Sequence, residues 1–404
     1  MAACRRAMAV ACIAAIAAMP PAAMAQSGGG STEATGDAID VVVGTDISHD
    51  SNLFRQPSSA QRTSDTITAS FIGLRLDKQY SLQRFQFDIT QSALRYARTS
   101  YLNFNALDYR GAWIWQIGSR VSGTIGADRR ESLVPFEDVR NPGNPTRNIR
   151  VGENRFFNLD ARAFADWHLL LGVSESSQTS ERAIEIQPDF DATSREAGIR
   201  YAPPSGNSIA VVQRSTSGDY VNQSSSLVLG TGYKQDETEL KVQWTPTGKS
   251  SLNGRLTRLS RSHERAGQRD FSGTAAELIY SWATTGKLDM KFIAKRDIAP
   301  YQDPSGSFVV NNTLSVLPTW KITEKTVARL LAAQTTSKFS GYATGPAVGP
   351  ARSETLRLVE LGVDWSPVSR MVIGASVLRQ ARDSNIPAFA FENTILRITA
   401  AYRF

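Results

Sequence analysis

Cysteine is almost missing from this 404-residue chain: the only two are Cys4 and Cys12. If the first 25 residues are removed, no thiol remains, so neither a disulfide framework nor a thiol nucleophile is expected. Histidine is equally scarce. His49, His168 and His263 lie in or near three different connections. No His-Glu-x-x-His or Gly-x-Ser-x-Gly motif occurs, so neither a zinc-protease helix nor a nucleophile elbow is present. His49 with Asp46 and Asp50 is the one local acid–histidine group, and it reads as a polar loop edge. Asp46, Ser48, Asp50 and Asn52 alternate like a calcium loop but lack its glycine and closing glutamate. The chain is expected to be non-enzymatic, with no cofactor and no metal.

Long apolar runs and a strong charge bias are missing too. After Met19 no stretch is apolar for the roughly 18 residues a membrane helix needs. Lys and Arg number 45 against 38 acids, and they are scattered, so no nucleic-acid patch is expected. About a dozen residues separate the export leader from the first strand, too few for the plug domain of an energy-coupled receptor.

The leader itself is clear. Arg5 and Arg6 precede the apolar run Ala7 to Met19; Pro20 and Pro21 end it, and Ala23-Met24-Ala25 offers a cleavage site before Gln26. Residues 1–25 therefore read as a secretory signal peptide, residues 26–37 as a short flexible segment and residues 38–404 as one domain. Removing the leader takes away two arginines and no acid, leaving 43 cations against 38 acids, a net charge of about +5.

From Ala38 the chain alternates. In Lys287 to Lys295, Leu288, Met290, Phe292 and Ala294 share one face, opposite Lys287, Asp289, Lys291 and Lys295. Asp236 to Trp244 opposes Leu240, Val242 and Trp244 to Glu239, Lys241 and Gln243. Asn154 to Trp167 opposes Phe157, Leu159 and Ala161 to Asn158, Asp160 and Arg162. Side chains of a strand alternate between faces, so these segments are two-faced β-strands.

A repeat overlies the alternation. Tight turns follow Trp115, Trp244, Trp282, Trp320 and Trp365, with Trp167 and Tyr201 at similar changes of direction; Trp244, Trp282 and Trp320 are 38 residues apart. Longer polar connections fall at His49 to Ser64, Pro135 to Ile149, Glu181 to Asp191, Arg261 to Arg269, Ala299 to Gly306 and Phe339 to Ser353. The stretch Ser224 to Tyr233 reads either as such a connection or as a strand extension. Short turns on one side and long loops on the other describe a transmembrane antiparallel up-and-down β-barrel with its short side in the periplasm. Turns near Gln79, Gly118, Trp167, Ser205, Thr247, Thr285, Thr323 and Val368 close 18 strands, with 16 as the alternative count.

An all-β barrel of this kind assigns roles. Indole prefers the membrane–water boundary, so Trp115, Trp167, Trp244, Trp282, Trp320 and Trp365 are expected to form a girdle against outer-membrane lipid. The lipid face must be apolar, so Arg84, Arg110, Arg130, Arg162, Arg200, Arg255, Lys291 and Arg397 are expected to line the lumen, beside Asp88, Asp108, Asp128, Asp160 and Asp289. The terminal strand ends on Tyr402 and Phe404. Its resemblance to outer-membrane proteins implies recognition by the barrel-assembly machinery.

His49 to Arg55 resembles the Asp-Asn-Leu-Phe-Arg signature of EpsL-type outer-membrane β-barrels from exosortase-associated exopolysaccharide systems, departing from it at Ser51. Arg269 to Gly273, the turn at 246–249, Arg296 to Tyr301 and Leu317 to Lys325 are similar in the same order. The resemblance covers nearly the whole exported chain. It implies an aqueous passage for exopolysaccharide, with the polymer and periplasmic export components as partners, and it carries no catalytic residue. A general diffusion porin for small solutes is the alternative. An outer-membrane enzyme acting on lipid or polysaccharide is a third reading, with His49 and Asp50 as its visible candidates.

Overall fold

The computed structural model describes residues 39–136, 145–182, 188–221, 232–265, 267–303, 306–341 and 351–404. The expected leader and flexible segment lie outside them. The first strands are β1 (Ile39–Asp50), β2 (Asp65–Tyr80), β3 (Gln83–Tyr96), β4 (Phe104–Ile117), β5 (Val121–Leu133) and β6 (Ile149–Phe164). They continue as β7 (Trp167–Ser180), β8 (Phe190–Tyr201), β9 (Ser208–Tyr220), β10 (Gly232–Thr247), β11 (Ser250–His263) and β12 (Phe271–Ala283). The last are β13 (Leu288–Asp303), β14 (Gly306–Lys321), β15 (Thr326–Ser340), β16 (Ser353–Trp365), β17 (Met371–Ser384) and β18 (Phe391–Arg403).

Each strand pairs antiparallel with its chain neighbour, and β1 pairs with β18, so the 18-stranded sheet is closed. Closure follows from the solvent. Lipid offers no hydrogen bonds, so an open edge would leave a row of amides unsatisfied at several kcal/mol each. The seam runs from Val42 opposite Arg403 to Asp50 opposite Ile395.

All eight expected turns lie at one end of the barrel, together with Ile39 and Phe404. Two connections at the other end fall between strands where no loop was expected: 97–103, with a 3-10 turn at Ser100–Leu102, and 385–390, with another at Pro387–Phe389. The stretch Ser224 to Tyr233 lies outside the described residues up to 231, and its last two residues open β10. Two boundaries differ from the sequence reading. Strands β13 and β14 run on to Asp303 and Gly306, which pair with each other, so the expected loop from Ala299 is mostly strand. Trp167 follows its turn instead of preceding it, because Ala165 takes φ 44° and reverses the chain there.

Register sorts side chains onto two faces. Leu240, Leu256, Leu278, Leu314, Leu361 and Ile398 point outward and are exposed, whereas Val212, Glu239, Lys241, Leu358 and Gln380 point inward and are buried. The six expected tryptophans, and Trp113 as well, all take outward positions, six of these seven within four residues of a short turn. Trp115 lies flat across Gly123, where an added Cβ would come within 2.4 Å of the indole, and stacks on Phe157 at 6.3 Å.

This sorting predicts an asymmetric cost. Leu361→Arg, outward and mid-band, should destabilise the barrel by about 2–4 kcal/mol. Ser315→Arg, on the inward face, should cost far less. Denaturant unfolding in lipid vesicles measures both.

Candidate functional site: the lumen wall and outer mouth

The inward face carries ionic side chains from nearly every strand, and they pair across strands. The best-developed run crosses β8 to β13. Arg214 donates to Glu196 at 2.7 Å and to Glu237 at 2.8 Å. Glu239 meets Lys241 at 3.1 Å and Arg255 at 3.6 Å, and Arg255 reaches Glu277 at 3.3 Å. Lys295 stands opposite Glu277 in register and lies 3.5 Å from Asp297. Shorter runs continue round the wall: Arg75–Asp88 at 2.9 Å, Lys321–Asp289 at 3.4 Å, Arg329–Asp364 at 2.6 Å and Arg397–Asp46 at 3.5 Å. Cations and carboxylates are close to balanced, so the wall is strongly polar without a large net field.

The eight cations expected to line the lumen all fall on the inward register. Arg84 pairs with Asp77 at 2.5 Å. Arg110 stands between Asp88 and Asp128, and Arg130 stands opposite Gly152. Arg200 contacts Asp160, which also accepts from His168 at 2.6 Å. Lys291 faces Ser281 and Leu317. Arg162 differs from the rest: it bonds the Ala165 carbonyl and Asp166, so it clasps a short turn at the inner mouth. Of the densest run, Arg255 was expected in the lumen and Glu239 and Lys241 on the polar face of their strand, but its centre, Arg214, was not singled out. It lies in phase opposite Ile209 and Val211, and that phase was the available signal.

The outer mouth is packed with apolar and cation–aromatic contacts. Leu53 and Leu102, from two loops, bury themselves against Tyr96, Phe104, Ala106 and Ile149. Phe54 meets Phe136 edge-on at 4.9 Å. Arg352 is 1% exposed, donates to Glu354 and to the Tyr301 hydroxyl at 2.6 Å each, and lies 3.5 Å over Phe389 and 4.2 Å over Phe339. Arg261 lies 4.0 Å over Tyr233 and donates to the Tyr220 hydroxyl at 3.0 Å. A guanidinium is weakly hydrated and planar, so it stacks on rings where an ammonium would not.

The His49 to Arg55 stretch belongs to this mouth. Asp50 accepts from the Asn52 amide at 2.8 Å and from Arg55 at 2.9 Å. The Asn52 side chain donates to the Gln56 and Glu392 carbonyls, and Ser51 bonds to Asn393 and Thr394 across the seam. Arg55 sits at φ 54°, held there by Asp50 and the Asn52 carbonyl. The stretch is a latch that ties the first loop to β18. His49 points outward and bonds Thr66, while Asp50 points inward to Arg55, so the two candidates for an enzymatic site do not meet. No cluster of metal-ligating side chains occurs among the described residues.

No family model and no curated protein matches the chain. Solved structures do. OccK2 (OpdF) of Pseudomonas aeruginosa in complex with glucuronate aligns with TM-score 0.51 at 12% identity, over 91% of this chain and 98% of that one. OccAB3 of Acinetobacter baumannii gives 0.51 at 8% identity, over 91% and 100%. A BenF-like porin from Pseudomonas fluorescens Pf-5 gives 0.50 at 12%, over 91% and 98%. The fold is that of outer-membrane porins. With its apolar outer face and closed sheet, this chain is an outer-membrane β-barrel.

Leu102 is the keystone of the mouth packing. Leu102→Ala should remove about 2–5 kcal/mol of local packing. In single-channel recordings the variant is expected to show more frequent transitions to higher conductance, at unchanged heat-dependent gel mobility.

Proposed function

We propose that the barrel is a water-filled diffusion channel for small hydrophilic solutes. The observation that carries this reading is the continuous inward band of paired charges from β8 to β13, which keeps the wall wet where an apolar lumen would exclude water. An 18-stranded ring is wide enough to enclose an aqueous space. Leu53 and Leu102, from two outer loops, pack on the inward-facing Tyr96 and Phe104, an arrangement that suits small solutes better than a polymer. The neighbour OccK2 was solved with glucuronate, a small charged sugar. Within this reading the inward cations, including Arg84, Arg110, Arg130, Arg200, Arg255, Lys291 and Arg397, guide solutes past matching carboxylates. Arg162 orders the inner mouth.

Two further roles complete it. The tryptophans beside the short turns form the inner-leaflet girdle. Tyr402 and Phe404, packed edge-on at 4.8 Å and exposed outward, mark the last strand for the assembly machinery. Export of exopolysaccharide, implied by the EpsL-type resemblance, is the second reading; the latch built by its signature residues supports it.

Liposome swelling separates the two. Barrels in vesicles should admit a monosaccharide and exclude a polymer of the same sugar. Passage of the polymer would reverse the order of the readings. Lys291→Gln with Lys295→Gln should move the reversal potential in a salt gradient toward cation preference; an unmoved potential would take these lysines out of the conducting path.

A further inference from the structure

Arginines on the outward face cluster at one height. Arg129, Arg155, Arg258, Arg296, Arg357 and Arg379 all point outward, eight or nine residues from the short-turn ends of their strands. At about 3.3 Å per residue and a tilt near 40°, that is roughly 20 Å above the inner rim. Arg195 lies slightly lower on β8. Beneath this belt the only other charged outward side chain among the described residues is Lys78, beside its turn. Higher up both signs occur: Glu131, Glu153, Asp236, Asp383 and Glu392 stand ten to twelve residues up, and Arg95, Lys338 and Lys234 twelve or thirteen. Several belt arginines reach these acids, Arg129 to Glu153 at 3.3 Å, Arg357 to Asp383 at 2.6 Å and Arg379 to Glu392 at 3.3 Å, whereas Arg258 and Arg296 stand away from them. Glu175 stands lower, level with Arg155 in register. The upper level mixes both signs as a solvated rim does; the belt itself, Glu175 apart, carries cations alone.

Two apolar grooves on the outer wall end at this belt. The first, about 580 Å³, has Leu240, Leu256, Leu278 and Leu314 as walls and opens over Gly254 and Ala276, with Arg296 and Asn312 at its upper edge. Arg296 is aimed there: it donates to the Thr274 carbonyl at 3.1 Å and to Asn312 at 3.0 Å, using two of five donors. Arg258 stands beside it, in register with Thr274. The second groove, about 560 Å³ and on the far side of the ring, is lined by Phe87, Trp113, Ile125, Phe157 and Val173, with Arg155 and Glu175 at its edge and Arg155 3.8 Å from Glu153, so its rim is less cationic than that of the first.

We propose that both grooves seat individual phosphorylated lipids of the outer leaflet, acyl chain along the groove and phosphate on the arginine at its rim. The short turns and termini set the direction, so the belt faces the outer leaflet. Charge complementarity selects the headgroup: guanidinium forks bind phosphate oxygens in pairs. A chain in the groove continues the bilayer, and the paired site is repeated on two unrelated stretches of sequence. The site lies on the outer wall, so it stands independently of what passes through the lumen.

Native mass spectrometry of the folded barrel, delipidated and reloaded with diphosphoryl lipid A, tests it. Two retained lipids per barrel are expected, with dephosphorylated lipid A retained at least tenfold less. The pair Arg258→Gln and Arg296→Gln should lose one lipid, Arg155→Gln the other, and Arg296→Lys should keep part of the binding. Ala276→Phe, which fills the first groove and leaves its arginines, should lose that lipid alone. Folding of each variant is checked by heat-dependent gel mobility. Equal retention of phosphorylated and dephosphorylated lipid, or unchanged retention in folded arginine and groove variants, would overturn the proposal.

Discussion

The need to satisfy every backbone amide without water governs this molecule. A sheet in lipid must close on itself, and here residues near the two ends of the chain meet to close it. The seam is fastened at both rims. At the inner rim the Phe404 amide donates to the Val41 carbonyl at 2.8 Å; at the outer rim the Ser51 amide donates to the Thr394 carbonyl at 3.0 Å. Strand number, strand tilt and the separation of two faces follow from that closure.

The two faces then obey different solvents. Outside, hydrocarbon excludes charge over a band about four outward side chains deep, and arginine returns only at its upper edge. Inside, water and partner charges make ionic side chains inexpensive. Each half-exposed pair there contributes little to stability. Their effect lies in position: Arg214 held by Glu196 and Glu237 lies against the wall and leaves the passage open. At the outer mouth the solvent changes again. Arg352 is buried among rings and Glu354, and its contacts tie its own connection to the one at 385–390 and to β13 and β15.

Much of this was legible in the sequence because period two and turn chemistry are local signals. Lys287 to Lys295 shows its two faces without any structure, and all eight short turns carry their own residues. The outer mouth was not legible. Leu102 meets Leu53, and Arg352 meets Tyr301, across gaps of about fifty residues with no spacing rule. The connection at 97–103 lacks glycine and proline, so nothing local marked it. The arginine belt was hidden for a different reason. The rule that the lipid face is apolar leaves no outward place for a cation such as Arg258, which is in phase with Leu252 and Leu256.

The most direct test of the account is alternation itself. No cysteine occurs after Cys12, so single cysteines can be placed at each position from Val359 to Val363 on β16. In intact outer membranes, positions 359, 361 and 363 should react with a lipid-partitioning maleimide, and positions 360 and 362 with a small water-soluble one. Reaction of all five positions with the water-soluble reagent would contradict the membrane barrel and return this strand to a soluble sheet.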